Sequence, residues 1–253
     1  MRFASLGSGS RGNGTLIEAD GACLLVDCGF SVSETEQRLA RLGRSASDID
    51  AILVTHEHAD HVRGVARLAA RYGISVRATA GTLGACGRYQ IEHAEAFSAH
   101  EGFSIGGLEV TPIAVPHDAR EPTQFVFSDG NRRLGLLTDA GHITAHIMRS
   151  LALCDALILE CNHDEAMLAR GPYPPSVKRR VGGLLGHLSN NQAAALLQDI
   201  DISRLQHLVA AHLSEQNNTV VQARAALAGA VGCEPDWIGV ADQEGGLDWR
   251  ELR

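Results

Sequence analysis

The chain has 253 residues, with 22 Lys+Arg against 30 Asp+Glu and a formal net charge of −8. That length suits one large domain or two small ones and buries a core without staples, while 45% hydrophobic and 21% charged residues exclude a disordered, collagenous or coiled-coil chain. The acidic balance excludes a protein that coats nucleic acid with a basic surface but leaves room for a local basic strip.

Residues 2–6, 15–19 and 22–27 read as strands separated by glycine-rich turns. Helical periodicity follows over residues 34–42, a compact apolar strand over 49–55, and a further helix over 62–71 with Val62, Val65, Ala66 and Ala69 on one face. Strand signals return at 103–105, 108–115, 124–128 and 133–138. In the last third, 156–160 and 208–213 read as buried strands, and 175–185, 191–200 and 219–228 as helices. Strands come early, helices late, and the order then repeats. The expectation is an α/β or α+β protein with sheets covered by helices, without linker or internal boundary, as a single domain over residues 1–253.

No apolar run approaches the roughly 18 residues that span a membrane. Residues 1–7 hold no hydrophobic region of signal-peptide length. The six cysteines are irregularly spaced with no CxxC pair, so they read as free thiols in a reducing cytoplasm. Oligomeric state is open.

Histidine is the commonest metal ligand, and this chain has 12. Four candidate ligands fall within Thr55-His56-Glu57-His58-Ala59-Asp60-His61, directly after an apolar strand, where open α/β sheets bind ligands. His56 and His58, two apart in an extended stretch, point the same way. Asp60 and His61 come after the chain turns into a helix and can face a second ion, while Glu57 faces away. Three later strands end in further candidates: His117, Asp139 and His212. One ion would take His56, His58, His117 and Asp139; the other would take Asp60, His61, Asp139 and His212, with Asp139 bridging. Imidazole with carboxylate suits Zn2+, and also Mn2+ or Fe2+. The absence of thiolates argues against a closed structural zinc site. Two such ions can share a hydroxide and clamp a reacting phosphoryl or acyl group, which leaves the substrate of this dinuclear hydrolase open.

The HxHxDH stretch followed by single His, Asp and His residues at later strand ends resembles the metallo-β-lactamase superfamily over essentially the whole chain. The resemblance implies a four-layer αββα sandwich with the metals at one edge of the two sheets. Glu160 at a strand end, Gly186-His187-Leu188-Ser189-Asn190 and Ala211-His212-Leu213-Ser214 are similar to segments of ribonuclease Z-like enzymes. With Ser8-Gly9-Ser10-Arg11-Gly12-Asn13, Pro116-His117-Asp118-Ala119 and Asn162-His163-Asp164, they resemble the YycJ/WalJ group of compact bacterial DNA exonucleases. No large insertion separates Asp139 from His212, so the extra clamp domain of ribonuclease J-like relatives is not expected, nor is the arm with which ribonuclease Z grips tRNA.

The resemblance implies a metal-dependent phosphodiesterase, an exonuclease on DNA or RNA, with a metal-bridging hydroxide as nucleophile. A small-molecule hydrolase of the same fold, acting on a cyclic phosphodiester, lactone or thioester, is the alternative. Asp60 serves as ligand and as the base that orients water, His187 as general acid, and Glu160 as the group fixing its tautomer. His163 is a candidate metal or phosphate contact or a support for the ligands. Asp118 either orients a ligand or is an exposed turn carboxylate. The stretch with Ser8, Ser10 and Asn13 either presents backbone N–H groups to phosphate or is a tight hairpin turn. Lys178, Arg179 and Arg180 either track a phosphate backbone or form a solvated helix face. Tyr173 is a candidate for stacking on a base. His142 and His146, four apart on an expected helix, read as a surface pair.

Overall fold

The computed structural model describes residues 1–91 and 93–253. It begins with strands β1 (Arg2–Gly7), β2 (Gly14–Ala19) and β3 (Ala22–Val26), then helix α1 (Val32–Arg41), strand β4 (Ala51–Leu53) and helices α2 (Ala59–Val62) and α3 (Val65–Tyr72). Strand β5 (Ser75–Thr79), helix α4 (Ala80–Ala85) and strand β6 (Ala94–Phe97) complete the first half. Strands β7 (Phe103–Ile105), β8 (Leu108–Ala114), β9 (Thr123–Ser128) and β10 (Arg133–Leu137) open the second half, followed by helix α5 (Ala145–Leu151) and strand β11 (Ala156–Glu160). Helices α6 (Glu165–Arg170), α7 (Pro175–Val181) and α8 (Asn190–Asp199), strand β12 (His207–Ala211), helix α9 (Val220–Val231) and strands β13 (Gly239–Val240) and β14 (Leu247–Glu251) follow.

Among the described residues the strands form two seven-stranded sheets, ordered β14-β1-β2-β3-β4-β5-β6 and β13-β12-β11-β10-β9-β8-β7. Each sheet starts as an antiparallel meander and continues in parallel. β1–β3 are antiparallel and β3–β6 parallel; β7–β10 are antiparallel and β10–β13 parallel. The expected repeat of strands then helices is this duplication of sheet plan. β14 returns from the C-terminus to pair with β1.

Successive strand side chains alternate between faces, and that alternation divides the core. Leu24 and Val26 of β3 join Phe3, Leu53, Phe125, Phe127, Leu136 and Val209 between the sheets. Cys23 and Leu25 face the other way, into a layer with Leu39 of α1 and Val65 and Leu68 of α3. The second sheet has a matching outer layer with Ile147 of α5, Leu196 of α8 and Leu227 of α9. The result is helices, sheet, sheet, helices, the αββα sandwich expected.

Several boundaries differ from expectation. The helix expected over 175–185 stops at Val181 because Gly182 and Gly183 follow. β5 and β6 carry Arg77 and Glu95 among small residues, a polar alternation suited to a sheet margin that falls below the apolar signal of the other strands. His142 lies before α5 rather than on it; its Nδ1 donates to the Leu184 carbonyl at 2.9 Å, so it does not pair with the exposed His146.

Candidate metal centre

The site gathers at the carboxyl ends of strands from both sheets. After β4 the chain runs on through Thr55 and His56, bends at Glu57 and enters α2 from His58, which leaves one nitrogen each of His56 and His58 within 4.8 Å of the other and puts Asp60 and His61 into the first helical turn. Asp27 follows β3, His117 follows β8, Asp139 follows β10, Glu160 ends β11 and His212 follows β12. Asp27, Asp139 and His212 adopt left-handed backbone, with φ of 61°, 53° and 54°. This conformation costs a non-glycine residue of order 1 kcal/mol and persists where surroundings over-determine it; here it sits at three strand ends that aim polar side chains into one crevice. Close backbone approach fixes the α2 turn as well: a Cβ on Gly29 would stand 1.7 Å from the Asp60 carbonyl oxygen.

His56, His58 and His117 bring one nitrogen each to within 4.8 Å of one another, and so do the donors of Asp60, His61 and His212. Asp139 stands between the two groups. Its Oδ2 lies 3.2 Å from His61 Nε2, and its Oδ1 3.9 Å from His117 Nε2. Every residue of the expected ligand set is therefore in this crevice.

Each histidine has one nitrogen engaged from outside, which turns the other inward. His56 Nδ1 lies 2.9 Å from Thr55 Oγ1, His61 Nδ1 donates to Asp27 Oδ2 at 2.8 Å, and His117 Nδ1 donates to the Gly186 carbonyl at 3.0 Å. His58 Nε2 donates to the Asp118 carbonyl at 3.2 Å, and His212 Nδ1 to Glu160 Oε1 at 3.0 Å. Such outer partners set tautomer and ring orientation in metal sites. The inward atoms His56 Nε2, His212 Nε2 and Asp139 Oδ2 are buried with no hydrogen-bond partner. Unpaired buried polar atoms are costly, and a cluster of imidazole and carboxylate donors facing one another is what a divalent cation satisfies.

The electrostatics agree. Burial disfavours the charged form of His61, yet Asp139, Asp27 and Asp60 outweigh it and raise its pKa well above the usual value. His212 is likewise opposed by burial and pushed up to about 10 by Asp139, Asp60 and Glu160. Burial, then the charge on His61, drives His56 well below the usual range. In the metal-free protein protons on His61 and His212 thus offset the carboxylates.

Beside this cluster lies a second motif. Glu160 is fully buried; burial would raise its pKa, but the charge and hydrogen bond of His187, with the hydrogen bond from His212, hold it at about 2. Its Oε1 accepts from His187 Nδ1 at 2.9 Å as well as from His212, and its Oε2 accepts from the amides of Ala140 and Leu188 at 3.0 and 3.1 Å. Helix α8 holds this segment: Ser189 caps it, with Gln192 completing a capping box, directly after His187-Leu188.

Two expected substrate contacts come out differently. In the glycine-rich loop the amides of Ser8, Gly9, Arg11, Gly12 and Asn13 already donate to Asp242, Asn13, Gln243, Gly9 and Asp60. The loop is therefore not an open N–H cradle. Instead it buttresses the ligands: Ser8 Oγ accepts from the His212 amide at 2.9 Å, and Asn13 Nδ2 lies 3.0 Å from His61 Nε2. Ser8 and Asn13 are buried, and Ser10 alone of the three is exposed. The basic strip is also divided. Lys178 Nζ donates back to the Ala169 carbonyl, Arg180 Nε donates to Asp118 Oδ2 at 2.6 Å beside His117, and Arg179 is exposed. Asp118 thus adjoins the ligands rather than standing free. Glu57 turns away and accepts from the Arg120 amide. His163 lies outside the ligand groups among the described residues; it is buried, with Nδ1 unpaired, and its carbonyl accepts from the Asn190 amide at the start of α8.

Sequence reasoning missed Asp27 and Thr55. Asp27 Oδ1 and Oδ2 accept from the amide and hydroxyl of Thr55 at 2.8 and 2.9 Å while Oδ2 also holds His61. Its signal was the one used for Asp139: a carboxylate just past an apolar strand.

Two sheets between helices with a histidine–carboxylate cluster at one edge define a metal-dependent hydrolase. Residues 23–212 match the family described as Beta-lactamase superfamily domain, and the chain belongs to that family. It is similar to "Exodeoxyribonuclease YycJ" of Bacillus anthracis, 36% identical over 88% of this chain and 86% of the relative, and to "Exodeoxyribonuclease WalJ" of Streptococcus pneumoniae, 33% identical over 86% and 83%. Among solved structures, Zn(2+)-bound PqqB from Methylobacterium extorquens shares the fold with a TM-score of 0.73 at 20% identity, over 100% of both chains.

Proposed function

We propose that the protein is an exonuclease acting on DNA, with two divalent cations held by His56, His58, His117 and Asp139 and by Asp60, His61, Asp139 and His212. The observation that carries this reading is Asp139 set between two three-donor groups, in a chain similar to exodeoxyribonucleases over most of its length. That similarity disfavours the small-molecule alternative. Zinc is the first assignment from the donors, with Mn2+ and Fe2+ compatible. The free cysteines favour a cytoplasmic protein, and among the described residues no helix is long and apolar enough to cross a membrane.

Divalent cations bound there would acidify water and neutralise charge developing on a phosphoryl group. The chain's own residues orient and move protons. Hydrolysis forms one P–O bond to water and breaks the P–O bond to the departing sugar oxygen, which needs a proton. His187 Nδ1 donates to Glu160, leaving Nε2 as the proton donor to that oxygen. Burial opposes the charged form of His187, but Glu160 raises its pKa above the usual value, which favours the proton this role needs. Asp60 orients the attacking water, whose proton passes to solvent; its Oδ2 lies 3.5 Å from His61 Nε2 and 3.7 Å from His212 Nε2. Glu160 acts through His187 and His212 and is a positioning residue. Arg179 and Arg180 contact the phosphate backbone on one side of the crevice.

End-labelled DNA and RNA oligonucleotides, digested by protein of measured metal content, test this reading. Progressive release of nucleotides from a DNA end is expected. Inactivity of the fully loaded protein on every polynucleotide would overturn it.

A further inference from the structure

The loop between α7 and α8 carries Leu184 and Leu185, which are 74% and 53% exposed. A single exposed leucine on a soluble protein needs no explanation. These two are consecutive, and their backbone is held from below at three successive carbonyls. The Leu184 carbonyl accepts from His142 Nδ1 at 2.9 Å, that of Leu185 from the Asp118 amide at 3.0 Å, and that of Gly186 from Nδ1 of the ligand His117 at 3.0 Å. The His187 amide donates to the Val181 carbonyl at 2.8 Å, closing the loop's base. The loop also rests on Gly141, where a Cβ would meet the Leu184 oxygen at 2.3 Å. All three carbonyls are used inward, so the two leucine side chains are presented outward on a fixed frame, one residue from a carbonyl that orients a metal ligand and two from His187.

We infer that Leu184 and Leu185 form an apolar tip that covers the face of the nucleobase next to the phosphate being cut. The inference rests on the nuclease reading and names how that site grips its substrate. Two observations and one general device select a nucleobase as occupant. The tip stands one residue from the Gly186 carbonyl that orients His117 and two from His187. Arg179 and Arg180 lie in the last turn of the helix that leads into the loop; Arg179 is exposed and without an ion-pair partner among the described residues, and Arg180 pairs with Asp118, so cationic side chains for phosphate stand close in sequence to the apolar pair. Aliphatic wedges are also a common device for unstacking a base step. Because the backbone is already fixed, little ordering cost attends binding.

The test compares the metal-loaded wild type with L184S/L185S and L184M/L185M. One substrate is a DNA oligonucleotide, the second the same strand with an abasic sugar beside the cleaved phosphate, the third bis(p-nitrophenyl) phosphate. The wild type is expected to prefer the base-bearing strand over the abasic one by roughly ten-fold in kcat/KM, the order one base contact supplies. L184S/L185S is expected to lose that preference, and the methionine variant to keep it. Both side chains are exposed, so the fold should persist; should the double variant fail to fold, L184S gives the same comparison. An unchanged preference in the serine variant overturns the inference, and so does loss of self-association alone, which would assign the tip to contact between copies. A wild type that cleaves bis(p-nitrophenyl) phosphate but no polynucleotide removes the nuclease reading itself, a distinguishable outcome.

Discussion

Asp27 Oδ2 accepts a hydrogen bond from His61 Nδ1 at 2.8 Å, and neither residue is accessible to solvent to any useful extent. This fixes the His61 ring with Nε2 toward Asp139. Asp27→Asn keeps an oxygen for the Thr55 amide but can no longer accept from His61. Loss of such an outer partner typically costs 10–100-fold in metal affinity. Competition with a chromogenic chelator should show a weakening of about that size; unchanged affinity would count against this role for Asp27.

His187→Ala should lower kcat on DNA by roughly 10²–10⁴, the span general acids supply, with metal content unchanged. The dependence on leaving group is diagnostic. A p-nitrophenolate departs without a proton, so the drop on bis(p-nitrophenyl) phosphate should be much smaller. Equal losses on both substrates would remove His187 from proton transfer.

Metal uptake should release protons. His61 is raised well above its usual value and His212 to about 10, so both hold a proton more tightly than a free imidazole in the metal-free protein. Ligation needs neutral imidazole. Protons should therefore leave as the ions bind, and apparent affinity should fall as pH drops. Calorimetric titration in two buffers of different ionisation enthalpy reads this directly; identical heats would contradict it.

The inter-sheet layer should dominate stability. Phe125 is fully buried there, with its ring centroid 5.8 Å from that of Phe127 and 5.9 Å from that of Phe97. Phe125→Ala should cost about 3–5 kcal/mol, visible as a lower urea midpoint. A shift below about 1 kcal/mol would mean that the two sheets repack around the cavity.

The ligands were legible because metal chemistry concentrates rare residue types at strand ends: His56 to His61 announce themselves, and His117, Asp139 and His212 share one local pattern. Glu160 and His187 were reached only through resemblance, since nothing local says that one carboxylate serves two imidazoles from β12 and the segment before α8. Asp27 escaped because an aspartate before Cys-Gly also reads as turn chemistry. The glycine-rich loop stayed open between two readings for the opposite reason. Its residue types suit an anion cradle, and only the long-range acceptors Asp60, Asp242 and Gln243 show that its amides are already taken. β13, two residues long, and β14, with Asp248, Arg250 and Glu251, carry too little apolar pattern to stand out.

The donors come from both halves of the duplicated plan: His56 to His61 hang from the first sheet, and His117, Asp139 and His212 from the second. Cations seated there would act as a rivet at one rim of the sandwich, a crosslink that chelation would unfasten. Catalytic competence would therefore come with an added fastening beside the apolar layer, and a protein stripped of metal would be both idle and easier to pull apart.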